Sequence, residues 1–167
     1  DPDNDDLTVT TTPVSGPSNG SVILNSDGTF TYTPDNGFTG TDSFDYEICD
    51  DGTPSECDEA TVTITILAGP TANDDSETTN INTPVDIDVL DNDVAGDGAL
   101  DPTTVSFVSG TEPPASEGVF TVNATTGLVT FTPAADYTGT STIDYEVCDL
   151  NSLCDVASIT ITITGGG

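Results

Sequence analysis

The sequence feature that most constrains the fold is an internal repeat. Residues 28–50, GTFTYTPDNGFTGTDSFDYEICD, align with residues 127–149, GLVTFTPAADYTGTSTIDYEVCD, and 12 of the 23 positions are identical. Residues 57–66 match residues 154–163 at seven of ten positions. Self-similarity at a fixed spacing is typical of tandem structural units. The repeat therefore predicts two homologous domains, residues 1–67 and residues 68–167.

The first repeat is shorter at its start than the second. Residues 1–7 correspond to the region near residues 93–100, and nothing in the sequence matches residues 71–90 for the first unit. We expect either that a preceding part of a longer parent protein supplies the first strands of this unit, or that the unit is an incomplete sandwich.

Each unit has the period-two alternation of β-strands. Ile143, Tyr145 and Val147 alternate with polar residues, and an alternating Ile-Thr run closes the unit at residues 159–164. Alternation of this kind indicates strands with one buried face, and turn residues such as those at 25–28 separate the runs. About seven short strands in about 95 residues indicate an all-β sandwich.

The charge excludes whole classes of chemistry. The chain has 30 Asp and Glu residues, no Lys or Arg and no His, for a formal net charge of −30. A Ser-His-Asp triad, a Schiff-base lysine and an arginine phosphate clamp are therefore excluded. Nucleic acid is excluded as a direct partner, because its binding requires cationic side chains. Without a run of 18 apolar residues, no direct membrane insertion is expected.

The four cysteines predict two disulfides and an oxidising compartment. Cys49 and Cys57 flank the last hairpin of the first unit, and Cys148 and Cys154 flank that of the second. A four-cysteine zinc site is the competing interpretation, but neither spacing is Cys-x-x-Cys. Each bridge would stabilise its small unit by about 2–3 kcal/mol.

Clusters of aspartate predict calcium binding. Ca²⁺ takes six to eight oxygen ligands and needs no nitrogen, and a cation between neighbouring carboxylates removes their repulsion. The run at residues 91–97 imitates the start of an EF-hand loop but lacks its bidentate Glu. Asx turns, in which Asp caps its own backbone, are the alternative. The candidate metal residues are Asp1, Asp3, Asp5, Asp74, Asp75, Asp91, Asp93, Asp97 and Asp101.

The composition does not exclude acid-base catalysis by pairs of carboxylates on the strands. Asp45 with Glu47, and Asp144 with Glu146, recur at matching positions of the two units. Glycosidase pairs lie in clefts beside aromatic sugar platforms, whereas this chain has no Trp and 6% aromatic residues. We therefore expect these acids to form a solvated strand face, and we do not expect an enzyme.

The motifs resemble bacterial cadherin-like/Ig-like tandem repeats of giant secreted surface adhesins, as in gliding Bacteroidota. They are ANDD at residues 72–75, VLDND at 89–93, FTP-x3-YTGT at 131–140 and ITITI at 159–163. The resemblance covers nearly the whole chain. It implies tandem Greek-key sandwiches of about seven short antiparallel strands, exported to the bacterial cell surface and often stabilised by Ca²⁺ at their junctions. Carried over by position, Asp74, Asp91, Asp93 and Asp97 would bind the ion.

The resulting expectation is a structural stalk segment of an extracellular adhesin or surface fibre. Its partners would be neighbouring repeats of the same long chain, and Ca²⁺ would stiffen the junction around residues 69–75. Two alternatives stay open. The chain is a glycan- or protein-binding module, or it forms filaments because a neighbouring chain supplies the missing strands of the first unit.

Overall fold

The computed structural model describes residues 6–165, which form twelve β-strands. Within that range no α-helix is present, so the expected all-β class is confirmed. The chain divides between Leu67 and Ala68 into two units, here called unit 1 and unit 2.

Unit 1 has five strands within residues 6–67. They form a three-stranded sheet in the order β1-β4-β5 and a two-stranded sheet of β2 and β3. Within residues 6–67, the unit has no counterpart of the first two strands of unit 2. The strands are β1 (Leu7–Val9), β2 (Gly20–Leu24), β3 (Phe30–Pro34), β4 (Gly40–Asp50) and β5 (Cys57–Ile66).

Unit 2 has seven strands in two sheets. One sheet has the order β6-β12-β11-β8 and the other the order β7-β10-β9. The strands are β6 (Asp75–Asn80), β7 (Val85–Ile87), β8 (Leu100–Phe107), β9 (Gly118–Val122), β10 (Val129–Pro133), β11 (Gly139–Asp149) and β12 (Cys154–Thr164).

One strand pair departs from the antiparallel arrangement expected from the sequence. β6 runs parallel to β12, from Asp75 opposite Ile159 to Asn80 opposite Thr164, whereas the other ladders are antiparallel. A parallel pair needs a long connection between its strands. Here the connection is almost the whole of unit 2, so β6 ties the start of the unit to its last strand.

The core of unit 2 lies between its two sheets. The alternation on β11 and β12 places Tyr145, Val147, Ile159 and Ile161 in this core, each with 0% of its surface exposed. The opposite sheet contributes buried residues from β7, β9 and β10, including Phe131. The polar residues between them face outward, as the period-two pattern predicts.

Both units end in a long hairpin closed by a disulfide. β4 pairs with β5 so that Cys49 lies opposite Cys57, and β11 pairs with β12 so that Cys148 lies opposite Cys154. Each of these pairs forms a disulfide, and the described residues contain no free cysteine.

Candidate functional site

An acidic groove lies where β6 begins and β7 ends in unit 2. Its volume is about 370 Å³. The loop that follows β7 forms one wall, and the first residues of β6 form another. Five of its eight lining residues are acids, namely Asp74, Asp75, Glu77, Asp88 and Asp91, and the others are Ser76, Ile87 and Asn92.

Hydrogen bonds join the two segments that form the groove. The Asp93 carboxylate accepts a hydrogen bond of 2.7 Å from the backbone N–H of Asn73. The Asn73 side-chain amide donates to the carbonyl oxygen of Asn92 at 2.9 Å, and the Asn92 amide donates to that of Asp74 at 3.0 Å. The ANDD and VLDND motifs thus contact each other directly, which explains why they occur together in the sequence.

The hydroxyl of Tyr145 supports this loop from the core side. It lies 3.0 Å from the carbonyl oxygen of Val89, 3.2 Å from that of Asn73 and 3.1 Å from Oδ1 of Asp93. The ring is fully buried, so the hydroxyl is a polar group carried by the core. In the sequence, Tyr145 is recognisable only as part of the apolar alternation, which carries no signal of this contact with the acidic loop.

Burial and mutual repulsion raise the pKa values of the inner carboxyls. Burial, together with the charges of Asp93, Asp74 and Asp88, raises the pKa of Asp75 to about 6, although a hydrogen bond from the Tyr145 hydroxyl acts in the opposite direction. Burial also raises the pKa of Asp93. Oδ2 of Asp75 is buried and has no hydrogen-bond partner among the described residues. Since the chain has no cationic side chain, this cluster is neutralised either by protonation or by a cation from solution.

The donor set fits a hard cation such as Ca²⁺, because it consists of carboxylate and carbonyl oxygens. The groove carboxylates are not gathered as tightly as bound ligands. Among residues 6–165, the sets of three acid or cysteine ligand atoms within 4.8 Å of one another are Glu47 with Cys49 and Cys57, and Glu146 with Cys148 and Cys154. The sulfurs of both sets are in disulfides. Ion binding would therefore require the groove side chains to rotate inward.

The predicted metal residues Asp93, Asp97 and Asp101 are not part of the groove lining. The Asp97 carboxylate accepts a hydrogen bond of 2.7 Å from the backbone N–H of Ala68. Asp101 accepts hydrogen bonds from the backbone N–H and the hydroxyl of Thr103, at 2.9 and 2.6 Å. Asp101 thus forms an Asx turn, which is the alternative to calcium binding that the sequence left open. Asp1, Asp3 and Asp5 lie outside the described residues.

Two further acids near the groove had no clear signal in the sequence. Asp88 lies on the outer face of the Val-Asp-Ile-Asp-Val alternation and was not singled out. Asp155 follows Cys154, and its carboxylate accepts a 3.0 Å hydrogen bond from the backbone N–H of Ala72. Its charge raises the pKa of Asp93. Only the tertiary fold brings these residues to the groove.

One aspartate organises each disulfide loop. Asp149 is 3% exposed, and its Oδ1 accepts hydrogen bonds from the backbone N–H groups of Asn151 and Leu153, both at 2.9 Å. Asp50 does the same in unit 1 with the N–H groups of Gly52 and Glu56, at 3.2 and 2.8 Å. These acids hold the loop in the shape that brings the two cysteines together.

The strand acids considered as catalytic pairs are engaged locally. Asp45 accepts hydrogen bonds from the hydroxyls of Ser15 and Thr61, and hydrogen bonding lowers its pKa. Asp144 accepts a 2.6 Å hydrogen bond from the hydroxyl of Ser158. A carboxyl that serves as a general acid at neutral pH needs a raised pKa, and the shift of Asp45 has the opposite sign.

Two related all-β units, each with a disulfide across its last hairpin, define the class of Ig-like or cadherin-like repeats. Residues 68–162 match the bacterial Ig domain family, and residues 1–68 match the bacterial cadherin-like domain family. The chain therefore belongs to the bacterial Ig domain family, and the resemblance found from the sequence motifs is confirmed. Such domains are typically non-enzymatic, and together with the disulfides they favour an extracellular protein.

Several solved structures are similar to the chain at low identity. Extracellular cadherin domains 1–5 of protocadherin gamma B2 share 17% identity and a TM-score of 0.41, over 95% of this chain and 32% of that one. Protocadherin gamma C5 shares 16% identity and a TM-score of 0.42, over 94% and 55%. An endo-fucoidan hydrolase of glycoside hydrolase family 107 shares 19% identity and a TM-score of 0.36, over 99% and 24%.

No curated protein matches the sequence. The chain spans about a third of the protocadherin gamma B2 structure and about a quarter of the hydrolase. Residues 6–165 contain no helix with the length and apolar character that crossing a bilayer requires.

Proposed function

We propose that the chain is a structural stalk segment of a long extracellular bacterial adhesin or surface fibre. The observation that carries this proposal is the repetition of one structural module. The 11-residue strand β4 and the 11-residue strand β11 each open a hairpin that is closed by a disulfide and held by a buried or half-buried aspartate. The same parts at the same places in both units suit a protein that acts through its length and stiffness.

The acidic groove would hold one Ca²⁺ ion in unit 2. Asp74, Asp75, Asp91 and Asp93 would be its ligands, with Asp88 close enough to contribute charge. A bound cation would remove the repulsion among these acids and would fix residues 73–74 against residues 92–93. In unit 1 the corresponding residues would be Asp1, Asp3 and Asp5.

The partners of such a segment would be neighbouring repeats of the same long chain at the bacterial cell surface. A formal charge of −30 keeps successive units apart and in solution. The same charge argues against nucleic acid and against anionic membrane surfaces as partners. We further propose that the chain has no catalytic activity.

Thermal unfolding in Ca²⁺ and in chelator tests the ion site. A ligand at a hundredfold excess over its Kd adds about 2.7 kcal/mol to the free energy of unfolding. For a unit of about 100 residues this is a rise in Tm of about 10 °C or more. We expect this rise for the unit 2 transition of the natural chain, and a much smaller one for the Asp75→Asn/Asp91→Asn variant.

Asp101→Asn is the matched control for that experiment. It removes one charge of the same kind, and Asn can also form the Asx turn with Thr103. Its Ca²⁺ response should equal that of the natural chain. An identical melt in Ca²⁺ and chelator for the natural chain would remove calcium from the proposed function while leaving the disulfide-closed modules intact.

The alternative of a glycan- or protein-binding module predicts a different result. The described surface carries an acidic groove, and the aromatic residues are 6% of the sequence with no Trp. We expect no saturable binding to a glycan array. A reproducible hit that is lost on mutation of the loops would favour the binding module over the stalk.

A further inference from the structure

Unit 1 has an open apolar groove of about 330 Å³. Side chains from both of its sheets line it, including Leu24, Phe30, Phe44, Tyr46, Ile48 and Val62. Apolar surface of this kind, gathered into one concave area, marks an interaction site rather than ordinary surface.

The same positions in unit 2 are core. Phe30 is 43% exposed, whereas Val129, its counterpart in the repeat, is 0% exposed. Along β5 the apolar residues Val62, Ile64 and Ile66 are only half-buried. Their counterparts on β12 are Ile159, Ile161 and Ile163, with exposures of 0%, 0% and 2%. The residues suit a core in both units, and only unit 2 covers them.

The structure of unit 2 shows what provides the cover. β7 pairs antiparallel with β10, from Val85 opposite Phe131 to Ile87 opposite Val129. Ile87 and Val89 enter the core, with exposures of 4% and 0%. β6 pairs in parallel along β12. The segment from β6 to Val89 therefore completes both sheets and fills the space between them.

Unit 1 presents a free strand edge at each matching place. Among residues 6–165, β5 pairs only with β4, and β3 pairs only with β2. The corresponding strands of unit 2, β12 and β10, each have a partner on both sides. An unpaired edge offers N–H and C=O groups to an incoming strand.

The hydroxyl of Tyr46 is a separate indication that the groove of unit 1 takes a further segment. In unit 2 the Tyr145 hydroxyl bonds to groups of the segment that follows β7. Its counterpart in the repeat, Tyr46, is half-buried, and within residues 6–165 its hydroxyl has no hydrogen-bond partner. The Tyr145 contacts with Asn73 and Val89 come from a segment of unit 2 that has no match in the sequence of unit 1.

We propose that the groove of unit 1 binds an extended segment of the β6–β7 type, which another repeat of the same kind supplies. The segment would lie parallel to β5 along residues 62–67 and antiparallel to β3 along residues 30–32. Its second part would alternate aliphatic and polar residues, as residues 85–89 do. It would end in a loop whose oxygen atoms accept a hydrogen bond from the Tyr46 hydroxyl.

The energy balance argues against a second copy of the chain as the source of this segment. In unit 2 the covering strands are β6 and β7. A second copy could donate β6 and β7 only by opening an equal apolar surface in its own unit 2. Each copy has two surfaces to cover and one strand pair, so exchange between copies leaves the total exposed area unchanged.

The test is a direct fusion of a second copy of residues 71–92 ahead of Asp1 in the full chain. In chelator, we expect the Tm of unit 1 to rise by roughly 10 °C, since two aliphatic side chains become buried in a small unit. Backbone amides within residues 62–67 should become protected from hydrogen exchange. The matched control carries Val85→Asp and Ile87→Asp in the fused copy only, and should show neither change.

Three outcomes decide the matter. Stabilisation and protection in the fusion, absent from the control, support the proposed occupant. Equal melting of the fusion, the control and the natural chain would overturn it. A natural chain that sediments as a dimer, with residues 62–67 already protected, would assign the groove to a second copy and overturn the proposed source. Ca²⁺ is absent throughout, so none of these results depends on the acidic groove of unit 2.

Discussion

The Asp75→Asn substitution is expected to stabilise unit 2 when no calcium is present. Burial raises the pKa of Asp75 from 3.8 to about 6, so the folded unit holds the proton more tightly than the unfolded chain does. The unfolding free energy therefore falls as the pH rises from about 4 to about 6, and the full penalty is present at pH 7. Asn imitates the protonated carboxyl and avoids that penalty.

The magnitude follows from the pKa difference and the exposure of the group. A change from 3.8 to about 6 corresponds to about 3 kcal/mol if the carboxyl is fully shielded. Asp75 is only half-buried and water screens part of its repulsion. We therefore expect a gain of about 1–2 kcal/mol at pH 7 and almost none at pH 4.

Chemical denaturation in chelator at pH 4, 5, 6 and 7 measures this difference. The control is Glu77→Gln, which removes a charge from the same groove at an exposed position of β6 and so reports the general effect of net charge. If Asp75→Asn destabilises unit 2 at pH 7, or gains no more than Glu77→Gln, the buried carboxyl is not the repulsive centre that the structure indicates. In saturating Ca²⁺ the natural chain should instead be more stable than Asp75→Asn, because only the natural chain keeps the Asp75 carboxylate as a ligand of the ion.

Two further substitutions test the supports of the site. Tyr145→Phe should lower the stability of unit 2 by about 1–2 kcal/mol, since buried acceptors lose their donor. Tyr46→Phe should have almost no effect on unit 1. Equal losses for the two variants in a urea titration would contradict the assigned role of the Tyr145 hydroxyl. Replacing Cys148 and Cys154 by Ser should lower the free energy of unfolding of unit 2 by about 2 kcal/mol, because the unfolded chain gains loop entropy. Chemical denaturation without reductant measures this loss. An unchanged midpoint would show that the Asp149 hydrogen bonds alone hold the loop.

The strands with an apolar face were predictable from the sequence. On β11 and β12 the aliphatic residues recur at every second position, and burial on one face is the only arrangement that satisfies that pattern. The cysteines were paired correctly because each pair flanks a hairpin whose strands the alternation had already defined. The repeat added the equivalence of the two units, which single strands do not reveal.

The sequence of β6 has no alternation of apolar and polar residues. Its sequence, DSETTN, has one buried side chain, Thr79. It is held by backbone hydrogen bonds to β12, which lies more than 70 residues away in the chain. Parallel pairing between distant segments leaves no local pattern, so the sequence predicted neither this strand nor its direction.

The acidic site was predictable only in part. Asp74, Asp75, Asp91 and Asp93 were recognised because acids without counterions repel one another unless a fold or a cation brings them together. Asp97 and Asp101 belong to the same sequence run, but they serve as hydrogen-bond acceptors for Ala68 and Thr103. The difference depends on which backbone N–H groups lie nearby, and that is a property of the tertiary fold.

Pulling on a single molecule tests the stalk claim most directly. The full chain would be held by tags at its two ends and stretched at constant speed, first in Ca²⁺ and then in chelator. We predict that unit 2 unfolds at a clearly higher force in Ca²⁺, and that Asp75→Asn/Asp91→Asn removes this difference while Asp101→Asn preserves it. Equal unfolding forces for the natural chain in both solutions would contradict a stalk that calcium stiffens.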